Sequence, residues 1–76
     1  MDRVQVFLRS RLFTTRDNGH VPSRAVILEG HVIEMQGSAL QIKVDTWRND
    51  QGEAIEASTK TLLIPPSKID HVWVLD

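Results

Sequence analysis

An all-β fold is predicted for this chain: five short antiparallel strands, strongly bent into a small barrel. Three observations predict it. Apolar and polar residues alternate in Val4-Gln5-Val6 and again in Leu40-Gln41-Ile42-Lys43-Val44, the period-two pattern of a strand with one face inward. Turn chemistry separates such runs, at Asn18-Gly19, Gly37-Ser38, Asn49-Asp50-Gln51-Gly52 and Pro65-Pro66. Lastly, Gly30 interrupts a long β-rich run, where glycine usually marks a bulge or sharp bend.

The first strand is expected over residues 4–12. Its even positions are Val, Val, Leu, Ser and Leu, and its odd positions carry Gln5, Arg9 and Arg11, with Phe7 the exception. A helix is the alternative, since Val4, Leu8 and Leu12 also fit a period near 3.6 and Asp2 would cap it. The β-branched Val4 and Val6 favour the strand. Residues 14–23, TTRDNGHVPS, read as a long hairpin loop in which Pro22 excludes a central strand. Residues 24–36 form the second strand. Its phase slips at Gly30, because Val26, Leu28 and Val32 share one face while Ile33 and Met35 share the other. Gly37-Ser38 turns the chain into a half-buried third strand, which carries Trp47 outward on the side of Gln41, Lys43 and Asp45. Residues 53–64 read as a fourth strand and residues 69–75 as a fifth, divided by Pro65-Pro66-Ser67. Little room is left for an N-terminal helix.

The 76 residues imply one domain over 1–76. A domain this small buries only about 60% of its unfolded surface. With no cysteine there is no disulfide or thiolate metal site to supplement that core, so oligomerisation is the common remaining device. No apolar run reaches the roughly 18 residues of a membrane span. The start, MDRVQVFLRS, lacks a signal-peptide pattern, and a soluble cytoplasmic protein without membrane contact is expected. Net charge is −1 but uneven. Residues 1–24 carry five Arg against two Asp, and residues 25–76 carry four basic against eight acidic groups. This asymmetry points either to a basic N-terminal patch or to ordinary surface charge.

The pattern resembles the Sm-like (LSm) family, which includes the bacterial host-factor RNA chaperones. Val4-x-Val6-x-Leu8 is similar to the family's first strand, and Gly30-His31-Val32 to the bend of its second. Leu40-x-Ile42-x-Val44 follows as its third. Ile64-Pro65-Pro66-Ser67-Lys68-Ile69, with Val72, has the spacing of the short loop between its last two strands. The resemblance implies an Sm-like or SH3-like barrel, a cyclic homo-oligomer of about five to seven subunits closed by pairing of the last two strands between neighbours, and RNA as ligand. The sequence departs from the family in its RNA loops. Gln36-Gly37-Ser38-Ala39 stands where relatives often carry Asp and Asn, and Pro65, Pro66 and Ser67 stand where they carry Arg-Gly or Lys-His. Proline offers no donor, so the familiar uridine contacts do not transfer residue by residue.

Candidate RNA contacts are therefore sought elsewhere. Trp47 and Arg48 end the third strand; packing or a subunit contact is the first reading and base stacking the second. Arg3, Arg9 and Arg11 share the outward parity of the first strand. They read as a solvated row, or as partners of acids such as Glu53 and Glu56, or as phosphate contacts. Lys68 and His71 flank the proline turn and would face the pore of a ring; otherwise they are a turn lysine and a packed histidine. Leu62, Ile64, Ile69, Val72, Trp73 and Val74 are the expected oligomer contacts, because short apolar edge strands need cover. The spacing of His20, His31 and His71 is not that of a metal site. No nucleophile–base pair or phosphate-cradling loop occurs, so neither an enzyme nor a cofactor is expected. Two alternatives to RNA binding stand: a structural or protein-interaction module that assembles without nucleic acid, and a monomeric SH3-like barrel.

Overall fold

The computed structural model describes residues 3–11 and 24–75. The expected hairpin loop over 14–23 and the end of the first strand at Leu12 lie outside those residues. The described chain is all-β: β1 (Arg3–Leu8), β2 (Ile27–Gln36), β3 (Ala39–Arg48), β4 (Ala54–Glu56), β5 (Lys60–Ile64) and β6 (Ile69–Val74), with a 3-10 turn at Pro66–Lys68 before β6. Every pairing is antiparallel. The sheet order is β4-β3-β2-β1-β6, and β5 pairs with β3. Since β2 takes one edge of β3, its other edge is shared by β4 near Trp47 and by β5 along Leu40 to Val44.

Two expectations are corrected here. The sheet has six strands rather than five, and it is not closed into a barrel, because β5 and β6 share no ladder. The extra strand arises where residues 57–59 leave the sheet between β4 and β5. The indole N–H of Trp47 donates to the Ser58 carbonyl at 2.6 Å, which gives that carbonyl a partner away from the ladder.

The inward parity of β1 is as its alternation predicts: Val4, Val6 and Leu8 are buried. They pack in one core with Ala25, Leu28, Leu40, Ile42, Val44, Trp47 and Ile64. Trp47 contradicts its expected outward position, since it is fully buried. The reason is a bulge. Gly30 pairs with Val44 while Glu29 pairs with Thr46, so Asp45 is an extra residue on β3. One extra residue reverses the parity of all that follows, and Trp47 swings inward. A second irregularity lies between Val32 and Glu34, which makes Ile33 the extra residue of β2. The phase slip of β2 is thus at Ile33, while the bend at Gly30 answers a bulge in its partner.

The two central glycines act differently. Gly37 holds φ +63° in the two-residue turn between β2 and β3, with nothing near a Cβ placed there. At Gly30 a Cβ would collide with the backbone carbonyl of Lys43, and backbone cannot step aside as a flexible side chain can. Gly30→Ala is accordingly expected to cost about 3 kcal/mol or more, and Gly37→Ala about 1–2 kcal/mol for the left-handed backbone alone. Thermal unfolding followed by circular dichroism checks the ranking; equal losses would remove the special role of Gly30.

Candidate functional site

Three surfaces carry the candidate residues. The first is the pair of sheet edges, β5 and β6. On β5, Ile64 and Leu62 point inward opposite Leu40 and Ile42; Ile64 is buried and Leu62 half-buried. Leu63, which the sequence does not single out, points the other way and is 54% exposed. On β6, Val72 and Val74 sit opposite Val6 and Val4 on the core side, yet both are exposed. They line an apolar groove of about 580 Å³, together with Val4, Val32, Met35 and Ile69. Among the described residues, no strand joins β5 to β6 across the inner face, which leaves this groove.

The second surface is the turn between these edges. Pro65 is extended, and the 3-10 turn closes with the Lys68 N–H donating to the Pro65 carbonyl at 3.0 Å. Lys68 Nζ reaches back to Ser10 Oγ at 3.2 Å and to the Arg11 carbonyl at 3.3 Å. The Arg9 N–H and Nε donate to the carbonyls of Lys68 and Ile69. Arg9 and Lys68 are thereby gathered at one end of β1 and β6, while Arg11 lines a separate pocket with Arg24, Asp50 and Glu53. None of the ion pairs among the described residues includes Arg9, Arg11 or Lys68.

The third surface is the outer face of the sheet, opposite the core. Over β1, β2 and β3 it carries a charge network. The Arg3 guanidinium donates to both Asp45 oxygens at 2.8 and 2.9 Å and to Glu29 at 2.8 Å. Glu29 also accepts from Gln5 at 2.9 Å and from Arg48 at 3.3 Å. The expected Arg3, Arg9 and Arg11 row is therefore divided: Arg3 is committed to acids on β2 and β3, not to Glu53 or Glu56. Arg48 is similarly committed, to Glu29 and to the Gly52 carbonyl. The hydrogen bond from Gln5, with help from Arg3 and Arg48, holds the Glu29 carboxyl below its ordinary value despite partial desolvation. The Arg3 hydrogen bonds do the same for Asp45, and both acids raise Arg3 in return.

Next to this network, over β1 and β6, the outer face is aromatic. Phe7 stands opposite His71, and Trp73 lies two residues farther along β6. The odd-position Phe7 that breaks the alternation of β1 is the signal in the sequence. Its partners could not be read there, because the β1–β6 register is a tertiary fact. Among the described residues, no group of three His, Cys, Asp or Glu could hold a metal ion, and no helix is long and apolar enough to cross a membrane. Comparison of the chain with known protein families, with curated proteins and with solved structures gave no match.

The network makes a pH prediction. Both carboxyls titrate lower in the folded state than in the unfolded one, so the unfolded chain takes up protons first as pH falls. Their stabilisation is complete above about pH 5 and is lost progressively below about pH 4. The melting temperature should fall steeply over that acid range, and Arg3→Met should flatten the fall. Parallel acid limbs for the two proteins would show that the network does not contribute.

Proposed function

We propose that the chain is a divergent Sm-like module that assembles into a ring by pairing β5 of one copy with β6 of the next, and that the ring binds single-stranded RNA without the usual loop contacts. One observation carries the assembly. Two strands with an unpaired edge, β5 and β6, present large exposed apolar side chains, Leu63 on β5 and Val72 and Val74 on β6. An edge strand of this kind invites another strand. Pairing two different edges is a heterologous contact, which closes into a ring when the rotation between copies allows it. It would also draw cover over the groove lined by Val72 and Val74.

Light scattering tests the assembly. A multiple of the 8.6 kDa chain mass is expected, and Leu63→Lys should shift the population to the single-chain mass while the circular dichroism spectrum stays unchanged. Leu63 points away from the core, so this substitution separates assembly from folding. A single-chain mass for the unaltered protein would overturn the ring.

RNA binding is supported by Arg9 and Lys68 at the β1–β6 end and by the aromatic face beside them. Titration with single-stranded oligonucleotides should show binding at low salt that weakens as salt rises. The second reading, an assembly module without nucleic acid, is favoured by Pro65 and Pro66 in the turn where relatives carry RNA contacts. It stands if the ring forms and no oligonucleotide binds.

A further inference from the structure

The aromatic group on the outer face has no part in the core or in the charge network. Phe7 and His71 lie with ring centroids 4.3 Å apart and planes 12° from parallel, a stacked pair. Trp73 leans on Phe7 at 5.8 Å and on His71 at 6.4 Å, tilted by 47° and 45°. Trp73 is 58% exposed. His71 is also exposed, while Phe7 is half-buried. A buried cluster of rings is ordinary core; a ladder with two exposed rings leaves π surface for something else to stack on.

The surroundings indicate the occupant. At the Phe7–His71 end, β6 carries an extra residue, Asp70, because Phe7 pairs with His71 while Leu8 pairs with Ile69. Beside it the 3-10 turn lies against the residues after β1, where Arg9 donates to the Lys68 and Ile69 carbonyls and Lys68 Nζ reaches Ser10 Oγ, so Arg9 and Lys68 stand at the foot of the ladder. Asp70 opposes them in part, but it lies 3.3 Å from His71 Nδ1. At the other side the ladder meets Gln5, whose amide is held by Glu29. Rings open to solvent with cations at one end suit a ligand that is itself flat rings joined by anionic links. An apolar protein surface would meet the same cations at a desolvation cost.

We propose that the Phe7–His71–Trp73 ladder is a stacking platform for the bases of single-stranded RNA, with Arg9 and Lys68 receiving the backbone phosphates. This rests on the RNA reading above and moves its site from the turn loops to the outer sheet face.

Titration of the full chain with a short oligo(A) and a short oligo(U) tests it. Base–aromatic stacking is typically strong enough that losing one ring weakens binding about tenfold, so Phe7→Ala and His71→Ala should each do so at unchanged oligomeric mass. Arg9→Gln should lower the slope of log affinity against log salt by about one. Binding should also quench Trp73 emission. Trp73→Phe should abolish that quench, since Trp47 is buried and out of reach of the ligand. The arginine and fluorescence readouts hold even if one ring variant fails to fold. Unchanged affinity in Phe7→Ala and His71→Ala would overturn the platform while leaving RNA binding in place, as would be found if the ladder served a protein partner. No binding by the unaltered protein would overturn both.

Discussion

At one point β2 must lie closer to β3 than any side chain would allow, where the backbone of Gly30 meets the carbonyl of Lys43. Much of the architecture depends on that contact. Strands β2 and β3 have ten residues each, and ten residues of flat strand span about 30 Å. The molecule measures 28 × 23 × 21 Å, and the irregularities in their register show that neither strand runs flat through it. The bend is made by the bulge at Asp45 and the second irregularity at Ile33, with Gly30 permitting the approach between them. The right-handed coiling that follows lets one pair of strands enclose a core that a planar pair could not.

The same bend explains what remains open. β1 has six residues and accompanies β2 only from Ile27 to His31. Beyond His31, β2 has β3 on one edge and nothing on the other among the described pairings. β6 follows β1 rather than β2, and β5 follows the first half of β3. Among the described residues, the far half of β2 and the inner face of β6 therefore face each other across the groove. Val32, Met35, Val72 and Val74 are left lining a groove instead of completing the core. A neighbouring copy paired through β5 and β6, as proposed above, would cover this groove.

Most of the fold was legible because its signals are local. The parity of Val4, Val6 and Leu8, the alternation of Leu40, Ile42 and Val44, and the turns at Gly37 and Gly52 need only a strand and its neighbours in sequence. What was not legible depends on partners. Trp47 reads as outward until the extra residue Asp45 is known, and a bulge is defined only against the opposing strand. The split between β4 and β5 follows a bond from Trp47 to Ser58, eleven residues away. The site was less legible than the fold. Arg3 belongs to a row of arginines in the sequence but to Glu29 and Asp45 in space, and Phe7, His71 and Trp73 are brought together only by the β1–β6 register.

That division of charge bears on how a ring would hold a nucleic acid. The arginine-rich N-terminal part suggests a broad basic patch, yet Arg3 and Arg48 are compensated by acids on the same face. Of the cations outside those pairs among the described residues, Arg9 and Lys68 stand at one end of the aromatic ladder, while Arg24, Lys43 and Lys60 lie on other parts of the surface. A few cations give a shallow salt dependence and weak attraction at a single copy, so stacking has to supply a comparable share of the affinity. One copy offers one such ladder. In a ring the ladder and its cations repeat at fixed spacing, and a strand that reaches two of them binds the second as an intramolecular event, at an effective concentration set by the linking nucleotides. Under the proposal above, assembly and ligand binding would become one property: the edges that build the ring would also multiply a site that is weak at a single copy.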